Sequence, residues 1–71
     1  MHAFLLGGPL HGARIPDDER TDFFVRYVPK PGGGSTVVRY RREIVNVCNM
    51  PCIVGVWETL STRQGLALLD L

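Results

Sequence analysis

The sequence predicts a small α+β fold, in which an antiparallel sheet of four to five strands carries one C-terminal helix. Runs of β-branched and aromatic residues alternate with Gly- and Pro-rich breakers, as strands alternate with turns. A helix-capping pattern then precedes a leucine-rich tail. The length of 71 residues limits the chain to one domain, which we assign to residues 1–71. The alternative architecture is an all-β small barrel in which the tail forms a strand.

The strands are placed by the breakers that flank them. The first breaker runs from Gly7 to Gly12, where glycine and proline favour a tight reversal. The second breaker is an acidic loop that begins at Pro16. The third is the Pro- and Gly-rich segment 29–35, which is typical of a hairpin loop, and the fourth is a turn at 48–52. We therefore expect strands at residues 2–6, 13–15, 23–28, 36–47 and 53–57.

The C-terminal tail predicts a helix. Ser61 and Gln64 fit a capping box, in which each side chain bonds the backbone N–H of the other residue. Leu66, Leu69 and either Leu68 or Ala67 then supply an apolar stripe at helical spacing. A helix of about ten residues is not stable alone, so its leucines must dock on the sheet or on another chain.

The charges exclude some classes of function and suggest one surface. The net charge of +1 excludes a strong global attraction to nucleic acid. No apolar run approaches the roughly 20 residues that span a bilayer, and no basic residue precedes the first apolar run, so we expect a cytoplasmic protein without a membrane partner. Acidic residues cluster between Asp17 and Asp22, whereas segment 23–42 is basic and has no acidic residue.

The basic segment predicts a partner-binding hairpin. A register that places Val25 opposite Tyr40 also places Tyr27 opposite Val38, which gives one apolar face. The same register sends arginines to the other face, where they are available to an anionic partner. The alternative is a solvated polar face neutralised by nearby carboxylates, and Trp57 is either a core residue or an interface anchor. The candidate partner-binding residues are Arg26, Arg39, Tyr40, Arg41, Arg42 and Trp57.

No catalytic, metal or cofactor site is predicted. Cys48 and Cys52 form a C-x3-C pair, but His2 and His11 are nine residues apart and do not form the close pair of a zinc finger. In the cytoplasm the two thiols are expected to be reduced, although a disulfide across the turn is the alternative. The glycine-rich loops lack the lysine of a phosphate-binding loop. We therefore expect a non-enzymatic protein.

The N-terminal third resembles a group of small bacteriophage and prophage proteins. These proteins open with a short strand, a Gly-Gly-Pro-Leu-Asp-Gly turn and a second strand that ends near a proline, and a Tyr-Arg pattern follows. The matching segments here are 5–12, 15–16 and 39–42, with His11 in the place of the usual Asp. The resemblance implies a phage or prophage gene acting in the bacterial cytoplasm on a small β-rich fold, and it supplies no catalytic residue.

Three functions are consistent with these observations. The first is an interaction module that binds and modulates a host protein. The second is nucleic-acid binding through Arg26, Arg39, Arg41 and Arg42. The third is a self-associating structural protein, a homodimer in which the leucine-rich tail and Trp57 pair across a two-fold axis.

Overall fold

A computed structural model describes residues 1–69 of the chain. It contains a five-stranded sheet and one short helix. The elements in chain order are β1 (His2–Leu6), β2 (Arg14–Pro16), β3 (Phe23–Pro29), β4 (Ser35–Val47), β5 (Met50–Trp57) and α1 (Thr62–Leu66). The strand order across the sheet is β2-β1-β5-β4-β3, and the sheet curls into a half-barrel. This confirms the predicted α+β class, because the tail forms a helix, and the curl of the sheet is the feature it shares with the barrel alternative.

The direction of one strand pair differs from the predicted antiparallel sheet. β1 pairs with β2, β3 with β4, and β4 with β5 in antiparallel fashion, whereas β1 and β5 are parallel. The chain reaches this arrangement because β5, the last strand, inserts between β1 and β4 in the middle of the sheet. The sheet is therefore mixed, and β2 and β3 are its two edges.

The core lies on the inner, concave face of the sheet. Its buried side chains come from every strand except β5, which contributes Gly55 at the corresponding position. A Cβ at Gly55 would lie 2.6 Å from a methyl of Leu5 and 3.1 Å from the ring of Phe24. The buried members of this core are Ala3, Leu5, Ile15, Phe24, Val38 and Tyr40.

The helix covers the middle of the outer, convex face. Leu6, Val54 and Val56 form a second buried cluster there, against which Leu66 and Leu69 pack. Both bonds of the predicted capping box are present at Ser61. The helix has five residues and not about ten, and it gives way to i→i+3 bonds that tighten the chain from residue 65 to residue 69.

The loop between β2 and β3 is held to the sheet by an ion pair. The Arg42 guanidinium donates to both carboxylate oxygens of Asp17, at 2.7 and 3.0 Å. The Asp17 side chain is only 2% exposed, so the pair is shielded from solvent. The hydrogen bond from Arg42 lowers the pKa of Asp17 and raises that of Arg42. The loop therefore stays anchored beside the first residues of β3.

The β4–β5 reversal takes only two residues, so β5 begins three residues earlier than the sequence predicted. Cys48 and Asn49 both have positive φ, at 51° and 65°, which is typical of a type I′ hairpin turn. Cys52 pairs with Val45, which precedes Cys48 by three residues along β4. That offset is about 10 Å at the rise of a strand, which is too long for a disulfide. Both cysteines are free thiols.

Replacing Cys48 by asparagine is expected to stabilise the protein by about 0.5–1 kcal/mol, because asparagine tolerates the left-handed conformation that cysteine disfavours. The urea midpoint of unfolding measures this gain. Cys52→Asn is the matched control, since Cys52 lies on an extended strand where asparagine is unfavourable. Equal gains in both variants would show that loss of the thiol is responsible.

Candidate protein-interaction surface

The register of the β3–β4 hairpin is shifted by one residue from the predicted one. Phe24 pairs with Tyr40, Val25 with Arg39, and Tyr27 with Val37. The predicted pairing of Val25 with Tyr40 is therefore wrong, and a shift of one residue moves the side chains of one strand to the opposite face relative to its neighbour. As a result, Tyr27 and Tyr40 lie on opposite faces of the sheet.

The corrected register separates the predicted arginine surface. Arg26 lies opposite Val38 on the inner face, whereas Arg39 and Arg41 lie on the outer face. The Arg41 guanidinium donates to the carbonyl oxygens of Glu58 and Leu60, at 3.3 and 2.6 Å, and so fixes the segment before α1. Arg42 is held by Asp17, as described above. The candidate arginines therefore do not form one anion-binding patch.

The two aromatic residues of the predicted surface are mainly structural. Tyr40 is fully buried, and burial raises the pKa of its hydroxyl. That hydroxyl donates to the Gly7 carbonyl oxygen at 2.8 Å and accepts from the Leu10 N–H at 2.9 Å. Trp57 is half-buried, and a Cβ at Gly8 would lie 2.5 Å from its indole ring. Both residues support the Gly7–Gly12 turn, and Tyr40 cannot contact a partner.

The outer surface of the β3–β4 hairpin carries a different set of exposed side chains. Tyr27 is 73% exposed and Val37, directly opposite, is 46% exposed. Val25 lies directly opposite Arg39, and Phe23 is the next residue of β3 on the same face. We call this set the hairpin outer face, and it comprises Phe23, Val25, Tyr27, Val37 and Arg39.

The hairpin outer face is exposed because α1 packs on β5 and not on β3. The helix is only five residues long, so it leaves the far side of the convex surface uncovered. Among the described residues 1–69, Arg39 has no hydrogen-bond or ion-pair partner for its guanidinium. An exposed apolar surface that includes two aromatic rings and an arginine has the composition of a protein interface, in which aromatic residues and arginine are enriched.

Comparisons with known proteins assign no role to this surface. No family model, curated protein or solved structure matches this chain. Within residues 1–69, no three His, Cys, Asp or Glu side chains come close enough to hold a metal ion, and no helix is long and apolar enough to cross a membrane.

The predicted register places Val25 and Tyr27 on one apolar face with Tyr40, and the predicted site residues do not include Phe23 or Val37. One signal was present in the chain. Alternate positions of β3 are apolar on both faces of the strand, and a strand with two apolar faces is typical of the sheet interior. At an edge, the same pattern leaves one face without cover. The position of β3 in the sheet order was therefore the missing information.

Proposed function

We propose that this protein is a non-enzymatic interaction module that binds another protein through the hairpin outer face. The supporting observation is the combination of four exposed apolar side chains with Arg39, on two paired strands that α1 leaves uncovered. Soluble proteins rarely leave a contiguous apolar surface of this kind without a partner. Paired strands also hold the side chains in fixed positions, which lowers the entropy cost of binding.

The surface suits a partner with an apolar contact area and a carboxylate. Val25 and Val37 offer aliphatic contacts, and Tyr27 offers a large amphipathic ring. A carboxylate of the partner can accept two parallel hydrogen bonds from the Arg39 guanidinium. The resemblance of the N-terminal third to phage proteins adds the proposal that this partner is a protein of the bacterial host, encountered in the cytoplasm.

Nucleic acid fits the surface less well. Binding to a phosphate backbone needs several free cationic groups, and the guanidinium groups of Arg41 and Arg42 are already bonded within the chain. Arg26 lies on the inner face. The exposed rings of Phe23 and Tyr27 offer planes on which a base can stack, but Arg39 is the one cationic residue of the hairpin outer face.

Val37→Asp and Arg39→Glu are expected to weaken partner binding by about tenfold or more, because each places a carboxylate at the centre of the interface. A photoreactive phenylalanine analogue at position 37 identifies the contacted protein in bacterial lysate, and titration calorimetry with that purified protein then gives the affinities. Both residues lie on β4, one strand in from the edge, so the variants leave the edge backbone unchanged.

Ile44→Asp is the matched control, because Ile44 is a 62% exposed apolar residue of the same strand on the inner face. The control is expected to bind normally. Equal weakening by all three substitutions would contradict the proposed surface. So would tight, salt-sensitive binding of a fluorescent single-stranded oligonucleotide that Arg39→Glu abolishes, since that result would assign the surface to nucleic acid.

A further inference from the structure

The free edge of β3 has the backbone groups that strand addition requires. The even-numbered residues face β4, since the Asp22 carbonyl oxygen accepts from Arg42 N–H and the Lys30 N–H donates to Gly34. The odd-numbered residues therefore direct their N–H and C=O groups away from the sheet. At present, side chains of the chain itself bond part of this edge: the Thr21 hydroxyl bonds Phe23, and Arg26 donates to the Val25 carbonyl oxygen.

A groove runs beside this edge. Its volume is about 390 Å³. One wall is β3, and the other is formed by the end of β2 and the anchored loop that follows it. The lining residues are Pro16, Asp18, Thr21, Phe23, Phe24, Val25 and Arg26. The edge therefore has open space beside the first half of the strand, from Phe23 to Arg26.

The charge along the edge changes sign about its centre. The loop before β3 and its last residue, Asp22, are acidic, whereas Arg26 and Lys30 are basic. The Asp22 side chain is exposed and Arg26 is half-buried. A strand with this arrangement is complementary to itself when it pairs in the antiparallel direction. The acidic end of each copy then meets the basic end of the other.

We propose that a second copy of this chain pairs with the free edge of β3, so that two β3 strands join antiparallel about a two-fold axis at Phe24. This register places Asp22 opposite Arg26 of the partner subunit, twice by symmetry. It also places Phe23 opposite Val25 of the partner subunit, and both residues direct their backbone groups outward. The two sheets become one continuous sheet of ten strands.

The neighbouring registers are less favourable. Only odd residues have outward backbone groups, so the two-fold axis must pass through a residue and not between two residues. An axis at Val25 places Arg26 opposite Phe24 of the partner subunit and gives no ion pair. An axis at Arg26 places Asp22 opposite Lys30 of the partner subunit, but it also places the two Arg26 side chains directly opposite each other, which is destabilising. The axis at Phe24 pairs Asp22 with Arg26 of the partner subunit and places no like charges opposite each other along β3.

This proposal is tested independently of the proposed function, because the charge pairs that set the edge pairing are Asp22 and Arg26 on the inner face, whereas the variants that test partner binding lie on β4. Pairing would nevertheless bring the two hairpin outer faces side by side. A partner protein would then encounter two copies of the same surface. Failure of the dimer leaves the hairpin outer face of each monomer intact, so the two proposals fail separately.

Asp22→Arg and Arg26→Glu test the pairing by charge reversal. Each substitution opposes like charges at both symmetric positions, so each is expected to raise the dimer dissociation constant about tenfold or more. The double variant with both substitutions restores opposite charges and is expected to dimerise as the original chain does. An equimolar mixture of the two single variants is expected to form a heterodimer, since one copy then supplies both arginines and the other both carboxylates. Sedimentation equilibrium from micromolar to millimolar protein measures all four cases.

Heterodimer formation in the mixture would also show that both single variants are folded. A chain that remains monomeric at millimolar concentration would overturn the proposal. So would a dimer that neither single reversal weakens, or single variants that are monomeric and are rescued neither by mixing nor in the double variant. Amide hydrogen exchange gives a second readout, because the Val25 amide is expected to become protected as the protein concentration rises. Unchanged exchange in a confirmed dimer would place the interface elsewhere.

Discussion

Replacing Gly55 by valine is expected to remove a large part of the stability of the protein, although valine is a better strand former than glycine. Gly55 lies in the central strand, where an added Cβ would be 2.6 Å from Leu5 Cδ2 and 3.0 Å from Tyr40 Cβ. Inserting atoms into a packed core costs about 1–3 kcal/mol or more, and a domain of this size has only roughly 4–10 kcal/mol of stability. Gly55→Ala is expected to lose about 1–3 kcal/mol, and Gly55→Val more.

Urea denaturation followed by circular dichroism measures these losses. Leu5→Ala tests the cause, because removing the isobutyl group that meets the new Cβ is expected to reduce the loss. The combined variant Gly55→Ala with Leu5→Ala should therefore be more stable than the sum of the two single effects by about 0.5–3 kcal/mol. Strict additivity would contradict the packing explanation, and so would a gain in stability from valine.

Gly55 also explains why the sheet curls. Phe24 lies on β3, two strands away from β5, at a distance of roughly 10 Å in a flat sheet. Its ring nevertheless comes within van der Waals contact of the space above Gly55, as do Leu5 from one side and Tyr40 from the other. The missing side chain lets the neighbouring strands fold inward over the core. Glycine in a strand interior is typical of such close approach.

The strands and the helix start could be predicted because their signals are local. The Gly7–Gly12 turn, the Pro- and Gly-rich hairpin loop and the Ser61–Gln64 capping box act within a few residues. The parallel pairing of β1 with β5 is not local, since it joins residues about 50 positions apart, such as Ala3 and Ile53. No pattern within either strand specifies that partner. The fold class was therefore predictable, whereas the sheet order was not.

The candidate surface could not be placed because β3 is apolar on both faces. Phe24 and Val28 form one alternating set and Val25 and Tyr27 the other, so hydrophobic periodicity does not choose between the two registers. The register is set by the loop that connects β3 to β4. Pro29 pairs with Ser35, and the intervening loop contains three consecutive glycines with positive φ. Loop geometry of this kind sets hairpin register, and the predicted register differs from the observed one by a single residue.

Replacing Tyr40 by phenylalanine is expected to destabilise the protein by about 1–3 kcal/mol, because the change leaves the Gly7 carbonyl oxygen and the Leu10 N–H without their partner. These are the two bonds that join β4 to the Gly7–Gly12 turn through a side chain. The ring and its packing remain, so the loss measures the hydroxyl alone. Tyr27→Phe is the matched control, since Tyr27 is 73% exposed and its loss of a hydroxyl is expected to change stability by less than about 0.5 kcal/mol. Equal effects would show that the Tyr40 bonds contribute nothing.

The same hydroxyl predicts a dependence on alkaline pH. Burial raises the pKa of Tyr40 above its usual value of 10.0, so the folded protein keeps this proton at a pH where the unfolded chain has lost it. When the folded state binds more protons than the unfolded state, the free energy of unfolding falls as pH rises. The contribution of Tyr40 is therefore complete below pH 10 and is lost as pH rises above it towards the pKa of the folded state. Urea midpoints measured across this range should fall more steeply for the original chain than for Tyr40→Phe, whereas Tyr27→Phe should keep the steep fall. Parallel curves for all three proteins would show that ionisation of Tyr40 is not coupled to folding.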